Sequence, residues 1–158
     1  MERTAPSRAT GGAVYAEFLV AFVPLFVFFL CLVQLMFVHG ANIVTQHAAT
    51  KATRAAVVVL HDDGSHYSGE PMGQAPAGTR RRSAIEAAAA MVLVTLGTGK
   101  PATIMRDQYG PRDLVTVELE FPYSCRVPIG KNLVCGLAAK TTLHAQASLP
   151  NQGATFRY

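Results

Sequence analysis

Residues 18–38 read FLVAFVPLFVFFLCLVQLMFV, and this stretch decides how the whole chain is organised. It holds no charged residue, its only clearly polar side chain is Gln34, and it contains six of the chain's eight phenylalanines. A helix rises about 1.5 Å per residue, so this stretch covers about 31 Å, close to the ~30 Å hydrocarbon thickness of a bilayer. A helix buried in a soluble core would carry a polar stripe, and none is present. Pro24 is compatible with a spanning helix, because neighbouring groups re-satisfy the carbonyl it frees. Residues 18–38 therefore predict a single membrane span. A removed secretory signal has a shorter apolar core of about 7–15 residues and a small-residue cleavage site after it. Here a helical pattern follows instead. Only 15% of the 158 residues are charged, below the usual quarter. That leaves room for one span and one small domain.

Basic residues do not orient the span. Arg3 and Arg8 precede it, and Lys51 and Arg54 follow it closely. The junction Gly11-Gly12-Ala13-Val14-Tyr15-Ala16-Glu17-Phe18 is more informative. A short basic leader ends in glycine, and one carboxylate stands five residues later at the edge of the apolar run. A carboxylate in that position is costly, and is usually paired or functional. The spacing looks like a class III signal, which prepilin peptidase cuts on the cytoplasmic side after glycine. Only cleavage between Gly12 and Ala13 places a glutamate at the fifth mature position. The new α-amino group of Ala13 would then have Glu17 of a neighbouring subunit as counter-charge. The plain alternative is a glutamate marking a helix start near the headgroups.

From Gly12 to about Val59 the chain resembles the TadE-like minor pseudopilins of tight-adherence (Flp-type) pilus systems. The matching residues are Gly12, Glu17, Phe18 and Pro24, then Gln46, Ala48, Ala49, Ala52, Arg54, Ala55 and Ala56. Two departures stand out: Pro24 lies one residue further from the glutamate than the common spacing, and Gln34 occupies the place of a frequent second acidic residue. The resemblance covers about a third of the chain. It implies a structural subunit that initiates, modifies or tips a pilus, with Glu17 and Phe18 in the assembly contact. Its implied partners are prepilin peptidase, other pilin subunits, the inner-membrane assembly platform and the lipid bilayer. It places the C-terminal domain in the periplasm and, after assembly, in an extracellular pilus. The other reading is an uncleaved, single-pass, membrane-anchored binding or regulatory module.

Beyond the span, residues 41–60 continue as a stalk helix, completing a 13–60 unit after a 1–12 leader. Val44, Ala48, Ala52, Ala55, Ala56 and Val59 recur on one face. Either a neighbouring helix or the chain's own sheet would cover that small-residue stripe. Residues 61–82 are rich in Asp, Gly and Pro and read as a loop. Within it, His61, Asp62, Asp63 and His66 match no established metal spacing and read as a solvated turn. Arg80, Arg81 and Arg82 read as a solvated charge run, although such a cluster also suits nucleic acid, lipid phosphate or an acidic partner. No interleaved aromatics support nucleic-acid binding, and the net charge of +4 comes largely from this cluster.

The domain proper is expected at 83–158. Ser83-Ala84-Ile85-Glu86 has the form of a capping box opening a largely buried helix that ends near Leu96-Gly97. Strands are predicted at residues 102–108, 114–121 and 141–149, the first two joined as a hairpin through Tyr109-Gly110-Pro111-Arg112. Val115, Val117, Leu119 and Phe121 alternate with polar residues, as do Leu143, Ala145, Ala147 and Leu149, which implies a sheet with one wet face. The predicted fold class is α+β: a long N-terminal transmembrane and stalk helix, a second helix and about three antiparallel strands. Cys125 and Cys135 flank a Pro- and Gly-containing loop and are expected to form a disulfide in an oxidising compartment, while Cys31 serves as a small apolar residue of the span. No nucleophile motif, phosphate-cradling loop or acid–base pair is present, so neither catalysis nor a cofactor is expected.

Overall fold

A computed structural model describes residues 11–97 and 99–151. Residues 1–10, most of the expected 1–12 leader and including Arg3 and Arg8, lie outside them, as does the side chain of Ala13. The helix α1 runs without a break from Gly11 to Val59, through Pro24 and Gly40. Helix α2 covers Arg80–Leu93 and the short α3 covers Gly130–Cys135. Strands β1 (Ala102–Ile104), β2 (Leu114–Ser124) and β3 (Lys140–Pro150) form one antiparallel sheet in the order β1-β2-β3. This is the α+β, pilin-like arrangement expected, and α1 is its axis.

The small-residue stripe on α1 is covered by the chain itself. Ala48, Ala49, Ala52 and Ala56 are fully buried beneath α2 and the sheet. The absence of large side chains lets both layers approach the helix backbone. Thr45 and Thr53 lie buried in the same face, their hydroxyls bonded back to the carbonyls of Ala41 and Ala49. Such back-bonding is how a buried helix hydroxyl satisfies itself. The Thr53 hydroxyl also lies 3.2 Å from the Ala147 carbonyl, tying α1 to β3. Val115, Val117, Leu119 and Phe121 of β2 bury their side chains against this spine, with Ile85 and Leu93 of α2. Glu118, His144, Gln146 and Ser148 occupy the wet face.

Three expectations need correction. First, β1 stops at Ile104 instead of continuing to residue 108. Continuing the β1–β2 register would pair Arg106 with Thr116. The Tyr109 hydroxyl is inserted there instead, accepting from the Arg106 amide at 2.9 Å and donating to the Thr116 carbonyl at 3.1 Å. Residues 107–109 pair with the preceding loop: the Ala75 amide donates to Asp107 O and the Tyr109 amide to Gly73 O. Second, α2 begins at Arg80, with Thr79 as N-cap, so Ser83 and Glu86 form no capping box. Third, α2 is buried on one face only, leaving Ala87, Ala90 and Met91 exposed.

The Arg80-Arg81-Arg82 run is also not a solvated face. Arg80 is exposed, but Arg81 is fully buried and Arg82 nearly so. The Arg81 guanidinium donates to the carbonyl of Val59 at the last turn of α1, and to those of Asp62 (3.0 Å) and Glu70 (3.2 Å). Its Cζ stands over the Tyr67 ring, 4.5 Å from the centroid. A helix C-terminus leaves unpaired carbonyls and partial negative charge, so the cation is matched there without a carboxylate. Glu70 meanwhile accepts the free amides of Arg80 and Arg81 at the head of α2, at 2.6 and 3.1 Å. Arg82 covers the outer edge of β1, donating to Thr103 O at 2.6 Å and pairing with Glu86 at 3.1 Å. The run joins the end of α1, the start of α2 and the sheet edge.

Candidate functional site

Two features near the N-terminal end of the molecule define the candidate site. One is the first half of α1. From Val14 to Phe29 nearly every side chain is exposed, including Phe18, Phe22, Phe26, Phe28 and Phe29. Phe18, Phe22 and Phe26 follow one another at i, i+4 and stack as a ladder, with ring centroids 5.3 and 5.6 Å apart. A soluble monomer rarely exposes an apolar patch beyond a few hundred Å², and this surface covers every face of the helix. Among the described residues, α1 is the one helix long and apolar enough to cross a membrane. Glu17 lies exposed at its head, and no ion pair among the described residues includes it.

The other feature is the loop closed by the Cys125–Cys135 disulfide. It contains α3 and packs directly against α1 where the exposed segment ends. Gln34, the one polar side chain of the apolar run, is fully buried beneath it. Its side-chain oxygen accepts from the Val127 amide at 3.0 Å, and its amide nitrogen lies 3.8 Å from Cys135 Sγ. Gly130 approaches so closely that a Cβ there would stand 2.6 Å from the Leu30 carbonyl oxygen. Gln34 thus clamps the loop to α1. The sequence signal was its isolation, since a polar side chain inside an apolar helix usually has a specific partner. Cys31 is a free, half-buried thiol.

Above this loop, a groove of about 920 Å³ lies between α1 and β3, lined by Leu32, Leu35, Met36, His39, Thr142 and His144 among others. On the wet face His144 Nδ1 stands 3.4 Å from Glu120 in a directly opposed cross-strand pair. The turn after α1 divides its roles. Asp63 caps a single helical turn, Gly64–Tyr67, by accepting from the Ser65 amide at 2.9 Å. That hydrogen bond holds its carboxyl below the ordinary range. His61, expected in solvent, is buried, and its Nε2 has no hydrogen-bond partner among the described residues. The backbone there turns inward to let Leu60 O accept from the Gly73 amide.

No family model, curated protein or solved structure matches this chain.

Proposed function

We propose that the chain is a minor pseudopilin, TadE-like, of a tight-adherence (Flp-type) pilus system. Prepilin peptidase cuts it between Gly12 and Ala13, and the apolar half of α1 holds it in the inner membrane with the domain in the periplasm. Assembly with other pilin subunits then draws it into the pilus, where it initiates, modifies or tips the fibre. One observation carries the reading: a single helix is divided between a bare apolar half headed by Glu17 and a half that serves as the domain's spine. The bare half is extractable from lipid into a bundle of like helices without unfolding the domain. Within such a bundle Glu17 meets the new α-amino group of Ala13 on a neighbouring subunit, and the pair fixes axial register.

Two measurements test this. Mass spectrometry of the membrane-associated protein should find a chain beginning at Ala13, and a bulky residue in place of Gly12 should leave the precursor uncut. Glu17→Ala strands the partner amine in a dry bundle, a loss of about 3–5 kcal/mol for a broken buried pair. The variant should be processed and membrane-bound but absent from surface pili in a strain lacking the wild-type copy. Retention of the residues before Ala13, or normal piliation by Glu17→Ala, would favour the uncleaved membrane-anchored module.

A further inference from the structure

The disulfide loop has a surface that the pilin reading does not use. Ile129, Leu133 and Leu137 project outward, 48%, 64% and 100% exposed. Pro128 and Ala138 lie exposed beside them. Ile129 has φ +63° and ψ −55°, and the amide of Gly130 donates to the Pro128 carbonyl at 2.6 Å. This is a tight γ-turn, a costly conformation for a β-branched residue. The chain thus carries strain at the point where it presents an isoleucine to the outside, and such outliers cluster where a segment has a task.

The axial position of the loop identifies what it meets. Gly130 lies against the Leu30 carbonyl and Val127 against Gln34, so the loop sits at the level of residues 30–34 of α1. At about 1.5 Å per residue, Leu30 lies only about 20 Å along α1 from Glu17. A hydrocarbon core about 30 Å thick that begins at Glu17 extends some 10 Å past Leu30. The loop therefore lies inside the outer part of the lipid layer. Charge agrees with this. From Phe121 to the C-terminus the sequence has no Asp or Glu, while Arg126, Lys131 and Lys140 flank the apolar tip. Apolar anchors with basic neighbours are the composition of segments that lie in a membrane interface.

We propose that the Cys125–Cys135 loop and the turn that follows it at residues 136–138 form a second membrane-contacting element, which inserts Ile129, Leu133 and Leu137 into the lipid beside α1. The inference rests on α1 being a membrane span. The loop widens the anchor from one helix to a helix with a lateral wedge, and Gln34 and the disulfide hold the two together. Much of its backbone is bonded within the protein: the amides of Lys131, Asn132 and Leu133 donate to the carbonyls of Val127 and Ile129, and that of Val127 to Gln34.

The chain has no tryptophan, so single replacements report without background. Full-length Leu133→Trp and Leu137→Trp would be reconstituted in phosphatidylcholine/phosphatidylglycerol bilayers containing acyl-chain-brominated lipid. Phe26→Trp marks the span and Met72→Trp, near the far end of α1, marks the aqueous domain. The expected result is blue-shifted emission and quenching of both loop reporters, approaching that of Phe26→Trp, with Met72→Trp unquenched. Quenching of Phe26→Trp without quenching of the loop reporters overturns the proposal and leaves the span intact. Blue-shifted but unquenched loop reporters also overturn it, because they mean that protein, such as a second copy, covers the loop. An unquenched Phe26→Trp overturns the span and the wedge together.

Discussion

Replacing Arg81 by methionine tests whether a buried cation is what fastens the two helices. Methionine keeps much of the aliphatic bulk and removes the guanidinium, so the loss isolates the polar contribution. Three carbonyls, of Val59, Asp62 and Glu70, lose their donor, and Tyr67 loses the cation over its ring. Hydrogen bonds to a charged group contribute about 1.5–3 kcal/mol each, and a cation–π contact at a desolvated position up to about 2 kcal/mol. These do not add, because the contacts share one guanidinium, whose buried Nε has no hydrogen-bond partner among the described residues. A net loss of about 3–5 kcal/mol is expected, the size typical of breaking a buried charged network. For a domain of roughly a hundred residues that corresponds to a melting temperature lower by about 10 °C or more. Circular dichroism of full-length protein in detergent reads the shift, with Arg80→Met as the exposed control. Arg81→Lys should recover little, since a point charge cannot span three carbonyls as a planar fork does. An Arg81→Met protein melting with the control, within about 0.5 kcal/mol as for a surface position, would refute the assignment.

Reduction of Cys125–Cys135 should release the loop and cost about 3 kcal/mol by the chain-entropy estimate; a non-reduced peptide bridging the two cysteines and a lower melting temperature in reductant check this, and full labelling of both thiols in oxidised protein would contradict it. Gly130→Val forces its new Cβ against the Leu30 carbonyl, and overpacking of that kind costs about 1–3 kcal/mol; protease cleavage within residues 126–139 should accelerate in this variant, while Gly136→Ala should cost less, since nothing lies within 4 Å of its added Cβ although its φ of +75° adds strain. Burial pushes the Tyr109 hydroxyl above its ordinary value of 10.0. A group whose folded pKa is raised contributes stability fully present below the unfolded value and lost as pH climbs through the folded one, so stability should fall above about pH 10, and Tyr109→Phe should flatten that alkaline limb in denaturant titrations.

The parts of this fold that were legible beforehand rest on periodicity and composition. An apolar run long enough to cross a bilayer, a period of two in β2 and β3, and a Pro- and Gly-bearing loop between two cysteines each have a direct physical cause in their own residues. What escaped reading depends on partners distant in sequence. Arg81 is indistinguishable from a solvated arginine until the end of α1, twenty-two residues earlier, is brought to it. Strand β1 had residues enough to continue, but the hydroxyl of Tyr109 occupies the position its next ladder bond required. The capping box failed for a related reason: Glu70, outside the helix, satisfies the first amides, so α2 starts four residues earlier than its own sequence suggests. In the candidate site Glu17, the disulfide pair and the isolated Gln34 stand out by type, whereas the contact of Gln34 with the Val127 amide depends on a partner 93 residues away.

The unbroken course of α1 from Gly11 to Val59 makes the molecule a lever. No linker separates the apolar half of α1 from the domain, so the domain has no independent choice of orientation relative to it. Membrane-crossing helices tilt by about 20° on average. Over the roughly 45 Å from Phe29 to Val59, such a tilt carries the far end of the domain sideways by about 15 Å. With the first half of α1 across a bilayer, as proposed, a change of bilayer thickness or of helices packed around it would be converted into a swing of the loops beyond Leu60. Stiffness also works in the other direction: a force applied to those distal loops would exert a torque on the apolar end of α1, at Glu17, with no flexible joint to absorb it.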